Sequence, residues 1–119
     1  MDHEIKATVL KAATFDLLDI RLGRVISAIP APGAPKKAYM LEIDFGKFGK
    51  RTSVGRFTQH SAGSMIGKQV LAVLNFDPVK IGDTDSEVLV LGVQFPKADS
   101  GEATFITPCA EAKIGSKLF

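Results

Sequence analysis

The sequence predicts an all-β domain, and three observations lead to this fold class. The apolar runs are short, about four to seven residues each, and turn residues separate them at regular spacing. Hardly any stretch has the 3.6-residue period of an amphipathic helix. The chain has 119 residues, a length that forms one domain with one hydrophobic core and needs no disulfides.

The first predicted strand covers residues 19–29 and changes its pattern midway. Ile20 and Leu22 lie on one face, whereas the next apolar positions, Val25 and Ile29, are odd-numbered. Gly23 lies at this change of parity, which predicts a β-bulge in a strongly bent strand. A bent first strand can serve two sides of a small closed barrel.

The remaining strands follow in order along the chain. In residues 39–45 the odd-numbered positions are all apolar and alternate with Met40, Glu42 and Asp44, which indicates a half-buried strand. Residues 50–56 return as a polar strand, and a short strand is expected at 104–107. Two short runs rich in Val and Leu, 70–76 and 88–91, read as strands buried on both faces. The pattern predicts a five-stranded Greek-key OB-fold barrel.

Short helical or strand additions are expected at both ends of the barrel. Thr14 is a candidate N-cap for a helical turn at residues 15–18, with an acidic residue in its first turn. The tail, residues 108–119, has the pattern of one further strand. We therefore divide the chain into an N-terminal segment, residues 1–14, and an OB-fold domain, residues 15–119.

The cysteine content and the length of the apolar runs indicate the cellular compartment of the protein. Cys109 is the single cysteine, so no intrachain disulfide can form, and a lone thiol fits a reducing, cytoplasmic setting. No apolar run approaches the roughly 20 residues that span a bilayer. The first residues lack the basic start and apolar stretch of a signal peptide. The sequence predicts a cytoplasmic protein without membrane insertion.

The sequence has no motif typical of a catalytic or metal-binding site. His3 and His60 have no Cys or His at metal-ligand spacing around them. Asp83 and Asp85 share a connector, where an exposed acidic turn explains them better than a catalytic dyad. Residues 63–69 lack the spacing and the hydroxyl of a phosphate-binding loop. We predict no enzyme activity, no metal and no cofactor.

The charge distribution points instead to binding. Residues 36–68 hold seven Lys or Arg against two acidic residues, whereas residues 77–102 hold six acidic residues against two Lys. Lys and Arg neutralise phosphates, and hydroxyl groups along 50–56 can bond phosphate or sugar oxygens. Phe48 and Phe57 are candidates for exposed aromatic platforms. A solvated surface with chance clustering is the alternative interpretation.

Several motifs, in order, resemble the tRNA-binding domain family. They are LDIRLGRV from residue 18, LEIDFG from residue 41 with RTSV from residue 51, IGKQVLAVLNF from residue 66, and SEVLVLG from residue 86. The resemblance covers residues 15–118, and the last motif and the chain length are most similar to the free-standing CsaA branch. It implies an OB-fold, a homodimer without catalysis, and affinity for tRNA or other structured RNA.

The CsaA branch further implies a chaperone role in protein secretion, with unfolded or exported polypeptides as partners. The alternative is a dedicated tRNA binder that acts in trans with aminoacyl-tRNA synthetases. In the resemblance, Arg51 and Ser53 match the third strand, Asn75 ends the fourth, and Lys80 and Ser86 match the loop and start of the fifth. The full set of RNA-binding candidates, including those from charge alone, is Lys36, Lys37, Lys50, Arg51, Ser53, Arg56, Asn75, Lys80 and Ser86.

This sequence departs from the family pattern in the connector 77–85. Family members that bind tRNA well place several cations there, but this chain has Lys80 among acidic residues. Each lost phosphate contact weakens binding and its salt dependence, which favours peptide binding. Expected peptide-binding residues are Phe57, Met65 and Phe95, as adaptable apolar side chains on the surface. For a two-fold interface outside the barrel strands, we expect Phe15, Leu18, Ile114 and Leu118.

Overall fold

The computed structural model describes residues 4–97 and 101–119, and most of their regular structure is β-strand. The helical segments are short: 3₁₀ turns at Lys11–Ala13, Phe15–Leu17 and Gly46–Phe48, and the one-turn helix α1 at Ala62–Met65. The all-β fold class is confirmed. The strands are β1 (Ile20–Pro30), β2 (Tyr39–Asp44), β3 (Lys50–Gly55), β4 (Gln69–Val73), β5 (Val79–Ile81), β6 (Thr84–Ser86), β7 (Leu89–Val90), β8 (Gly92–Gln94) and β9 (Ala103–Phe105).

The main sheet is antiparallel, with the strand order β3-β2-β1-β4-β7. β1 pairs with β4 through residues 20–24 and with β2 through residues 24–30, so one bent strand does serve two sides of the barrel. The bulge lies between Val25 and Ser27, not at Gly23. Gly23 has a packing role, because a Cβ there would lie 2.5 Å from Cγ2 of Ile43.

The barrel is nearly closed by contacts between β3 and the chain around β6. The Thr52 N–H donates to Oε1 of Glu87 at 2.8 Å, and the Glu87 N–H donates to the Thr52 carbonyl at 2.8 Å. The Val54 N–H donates to Oγ of Ser86 at 3.0 Å. Two side-chain oxygens therefore accept hydrogen bonds from the free edge of β3, where a neighbouring strand would normally supply carbonyls.

The polar connector between the fourth and fifth barrel strands is an ordered hairpin. β5 and β6 pair antiparallel, with Ile81 opposite Thr84 and Gly82 in the turn at a φ of +59°. A second small hairpin pairs β8 with β9. The sequence pattern predicts no strand at β5, β6 or β8.

The tail forms a short edge beside β1. The Leu22 N–H donates to the Ser116 carbonyl at 3.0 Å, the Gly115 N–H to the Leu22 carbonyl at 2.8 Å, and the Leu118 N–H to the Ile20 carbonyl at 2.9 Å. The tail thereby pairs with the part of β1 that lies beyond the end of β2. The terminal strand expected in the tail is therefore present only as this short pairing with β1.

The N-terminal additions are held by a side chain of the barrel. The side chain of Asn75 accepts from the Asp19 N–H and donates to the Leu17 carbonyl, both at 2.8 Å. The expected helical turn is the 3₁₀ turn at Phe15–Leu17, but the Thr14 hydroxyl donates to the Leu10 carbonyl and does not cap it. The boundary between segments 1–14 and 15–119 stays a prediction.

None of the helical segments in the described ranges has the length and apolar character that a bilayer crossing requires.

The closure of the barrel generates a stability prediction. Ser86→Ala removes the acceptor of the Val54 N–H inside the structure, and a buried donor without a partner costs about 1–3 kcal/mol. We expect the free energy of unfolding, measured by urea titration, to fall by that amount. Ser116→Ala, at an exposed serine, is the matched control and should change it by less than about 0.5 kcal/mol. Equal stability of the two variants would contradict the role of Ser86.

Candidate nucleic-acid interface

Two loops pack together at one end of the barrel. The Asp83 N–H, in the turn of the β5–β6 hairpin, donates to the Pro32 carbonyl at 3.0 Å. Gly82 lies so close to the first loop that a Cβ would come within 2.5 Å of the Ala34 nitrogen. The loop 31–37 and the hairpin 79–86 therefore form one surface, which we call the loop end. In OB-folds, the corresponding loops are places where nucleic acids bind.

Four of the predicted cations lie on or beside the loop end. Lys36 and Lys37 are exposed on the first loop, and Lys80 is exposed on the hairpin. Arg56, just after β3, is tied to the same loop because its Nε donates to the Lys37 carbonyl at 3.1 Å. The structure thus gathers cations that are 44 positions apart in the sequence, from 36 to 80, into one region.

Acidic side chains lie among these cations. The Nζ atom of Lys80 is 3.9 Å from a carboxylate oxygen of Asp85. Arg56 donates from Nη2 to Glu102 at 3.5 Å. The carboxylate of Asp83 lies beside Gly33, where a Cβ would be 2.8 Å from Oδ2. The carboxylates lower the positive potential that a phosphate would meet at this end.

The cations of β3 lie apart from the loop end, at the start of the strand. Lys50 is exposed and pairs in register with Asp44. Arg51 is half-buried, and its Nε donates to the Phe48 carbonyl at 3.2 Å. The Phe48 ring is itself half-buried between Arg21, 4.4 Å from its centroid, and Lys47, 5.3 Å away. It is therefore not an open stacking platform.

Two serines that the sequence predicts at the RNA interface are buried. Ser53 is 1% exposed and Ser86 9%, so their hydroxyl groups are not exposed for the predicted phosphate or sugar contacts. Ser53 pairs in register with Leu41, and paired residues of antiparallel strands share a face. Because Leu41 is a core residue, Ser53 must also point inward. Asn75 is exposed, but its amide holds residues 17 and 19.

The expected exposure of two peptide-binding candidates is also wrong. Met65 is 0% and Phe57 3% exposed, and both belong to the core. Phe57 fills the space above Gly55, where a Cβ would lie 2.3 Å from its Cε2, and its ring meets Phe105 edge-on at 6.1 Å. An aromatic residue beside a glycine and facing a second aromatic is well buried, although its loop is polar.

Phe95 keeps partial exposure and belongs to an aromatic cluster. Its ring contacts the His60 ring edge-on at 5.9 Å, and His60 lies 4.9 Å from the Phe105 ring. Nε2 of His60 is 2.9 Å from Oγ1 of Thr104. His60 and Phe105 also line a cavity of about 410 Å³. His3 lies outside the described residues.

An apolar groove beside the tail is a feature that the sequence did not predict. It has a volume of about 460 Å³. Leu118, predicted for a dimer interface, lines it, whereas Phe15, Leu18 and Ile114 are half-buried elsewhere. At its end the Phe119 side chain is fully exposed. The other apolar side chains that line the groove are Leu22, Leu71, Ile106, Pro108 and Ala112.

Metal ligands are not clustered within residues 4–97 and 101–119, since no three His, Cys, Asp or Glu side chains there lie close enough to hold an ion.

Comparisons with known proteins agree on one family. The family model described as "Putative tRNA binding domain" matches residues 20–117. The methionine–tRNA ligase of Methanoculleus marisnigri is 31% identical over 113 residues, which cover 95% of this chain and 16% of that enzyme. The chain therefore spans about one-sixth of the length of the curated relatives it matches.

Two solved structures are similar over nearly the whole chain. The chaperone CsaA of Bacillus anthracis has a TM-score of 0.80 and 34% identity, with coverage of 94% of this chain and 100% of that chain. The CsaA chaperone protein of Picrophilus torridus has a TM-score of 0.82 and 31% identity, with coverage of 93% and 100%. The OB-fold prediction is confirmed by these similarities together with the barrel described above.

Proposed function

The chain belongs to the tRNA-binding domain family, and from this premise we propose that it is a non-catalytic protein that binds tRNA at its loop end. The observation that carries the proposal is the packing of loop 31–37 against the hairpin 79–86, which brings exposed lysines from distant parts of the sequence together. Lysines on two loops can contact phosphates on separate segments of one folded RNA. Binding is then governed by the shape of the RNA backbone and not by base sequence.

The charges at the loop end determine how such binding depends on salt. Each phosphate that a Lys or Arg neutralises releases counterions, so affinity falls as salt rises. Lys36 and Lys37 have no carboxylate partner among the ion pairs of the described residues, whereas Lys80 and Arg56 have Asp85 and Glu102 beside them. Lys36 and Lys37 therefore supply most of the attraction. We expect weak to moderate affinity that falls as salt rises, with a slope set by this small number of phosphate contacts.

A second candidate function is the binding of unfolded or exported polypeptides. Similarity to two proteins whose names describe them as CsaA chaperones favours it. Within this chain, the partly exposed Phe95 and the adjoining cavity beside His60 and Phe105 offer an aromatic surface for apolar segments. We place this function, like tRNA binding, in the cytoplasm. A tRNA binder that acts in trans with aminoacyl-tRNA synthetases is the alternative form of the first function.

We further propose a homodimer in which terminal residues cover a second copy. Leu118 in the apolar groove and the exposed Phe119 lie outside the main barrel strands, as do the half-buried Phe15, Leu18 and Ile114. Terminal elements can bury such surface in a two-fold interface without disturbing the barrel.

The tRNA proposal predicts the effect of reversing two charges. Lys36→Glu with Lys37→Glu should weaken tRNA retention at 50 mM salt by about tenfold or more, because two phosphate contacts become repulsive. Filter binding measures the change. Lys6→Glu with Lys68→Glu, which alters the same number of exposed lysines elsewhere, is the matched control. The proposal fails if the wild-type chain retains no tRNA at low salt, or if both double variants lose it equally.

The polypeptide proposal predicts protection of a denatured client protein. The wild-type chain should reduce light scattering as the client is diluted from denaturant, and Phe95→Ser should protect it less. Val9→Ser, at an exposed apolar residue in the N-terminal segment, serves as the comparison and should protect as the wild type does. Absence of protection by the wild type would remove this function.

The dimer proposal predicts a sedimentation result. At micromolar concentration the chain should sediment with twice the mass of the 12.7 kDa monomer. Leu118→Asp should shift it toward the monomer, because a charge would enter the apolar groove. A monomeric wild type at that concentration contradicts the proposal.

A further inference from the structure

A second cationic region lies away from the loop end, where the tail meets the turn after β2. A cleft of about 460 Å³ separates the 3₁₀ turn Gly46–Phe48 from tail residues 113–116. Its side chains include three cations, Arg21, Lys47 and Lys113. None of these belongs to the RNA-binding set that the sequence predicts. Gly46, Ile114, Gly115 and Ser116 complete the lining.

Arg21 is held in a fixed orientation. Its Nε donates to Oδ1 of Asp19 at 2.6 Å, and its Nη1 donates to the Gly115 carbonyl at 3.3 Å. The guanidinium also lies 4.4 Å from the centroid of the Phe48 ring, a favourable cation–π distance. An arginine oriented in advance loses little side-chain entropy when it binds an anion, and its planar fork suits phosphate oxygens.

Glycines allow the two walls of the cleft to lie close together. Gly46 has a φ of +66° and Gly115 a φ of +88°, conformations that favour glycine. A Cβ at Gly115 would lie 3.1 Å from the Phe45 carbonyl oxygen, so a larger residue would push the walls apart. The cleft is therefore shaped by backbone geometry as well as by its flexible lysines.

The net charge of the side chains in and around the cleft is positive. The lining includes no carboxylate. Asp19 lies beside it and pairs with Arg21, and Asp44 accepts from the Gly46 N–H at 2.8 Å. Lys47 and Lys113 are exposed at the cleft and have no partner among the ion pairs of the described residues. Two lysine ammonium groups, an oriented guanidinium and the Ser116 hydroxyl are suitable donors for a phosphate group.

The cleft also adjoins the cationic start of β3. Nε of Arg51 donates to the carbonyl of Phe48, the aromatic residue that Arg21 contacts from the cleft side. Lys50, next to Arg51, is exposed. Positive side chains are therefore present from the first residues of β3 to the tail.

We propose that this cleft binds a phosphate group, which the RNA backbone supplies when tRNA is bound. The source of the phosphate rests on the proposed function, whereas the affinity of the cleft for phosphate does not. Inorganic phosphate is the other source of the same chemistry, so the experiment has two arms.

The first arm measures the salt dependence of tRNA binding. Lys47→Ala with Lys113→Ala should reduce the slope of log affinity against log salt by about 0.7 to 1.8 units, because each lost phosphate contact removes about 0.7 to 0.9. Arg21 is left unchanged because Asp19 and Gly115 depend on it. Lys6→Ala with Lys68→Ala is the matched control and should keep the wild-type slope. A wild-type slope in the cleft variant shows that the backbone phosphates do not enter the cleft and overturns the proposal.

The second arm uses inorganic phosphate and nuclear magnetic resonance. Titration of the wild-type chain should shift the backbone amide signals of Gly46, Lys47, Gly115 and Ser116, and the cleft variant should lose these shifts. If the wild type retains no tRNA but shows these shifts, the proposed function fails and the cleft stands as a site for small phosphorylated ligands. Absence of the shifts in the wild type, up to millimolar phosphate, overturns the proposal whatever the tRNA result.

Discussion

The closure of the barrel between β3 and the chain at residues 86–87 is the contact on which the other features depend. β3 would otherwise end the sheet with free N–H groups, and an open edge invites pairing with other chains. Oγ of Ser86 and Oε1 of Glu87 accept from Val54 and Thr52 in place of strand carbonyls. Side-chain acceptors of this kind need no long fifth strand, and β7 is only two residues long. The hairpin before it is thereby placed against the first loop.

The bend of β1 leads to two different ends of the molecule. Where β1 pairs with β2, its last residues lead into the loop 31–37, which packs on the hairpin 79–86. Where β1 pairs with β4, its other edge receives the tail, which forms the apolar groove on one side and the cationic cleft on another. The surfaces proposed to bind RNA, a second copy and phosphate therefore all depend on one continuous strand.

The parts of the fold that the sequence predicts are those with a local pattern. The alternation at residues 39–45 and the apolar run at the fourth strand indicate directly which residues are buried. β2 and β4 lie where they were expected. The hairpin 79–86 carries no such pattern, because most of its residues are polar and its two buried positions, Thr84 and Ser86, are polar as well. β8 and the tail depend on pairing with distant chain, which a period within the segment does not reveal.

The candidate site was harder to predict than the fold, and the reason is physical. Residue type suggests a polar side chain on the surface, but Ser53 shares a face with Leu41, and Ser86 binds a backbone N–H. Phe57 in a polar loop and Met65 in the one-turn helix α1 both fill the core. Lysines such as Lys36 and Lys37 were placed correctly on the surface because a long charged side chain is rarely buried. Only the structure could show which distant lysines share a surface.

Three hydrogen bonds between the tail and β1 cover an edge of the sheet that could otherwise pair with another chain. Residues 115–118 occupy the backbone groups of Ile20 and Leu22 that β2 leaves uncovered. A chain cut before Lys113 would present that bare edge next to the apolar side chains of Leu22 and Leu71, which together form a template for strand addition. Truncation at this end therefore carries a specific risk of self-association into aggregates, although it removes nothing from the main barrel strands.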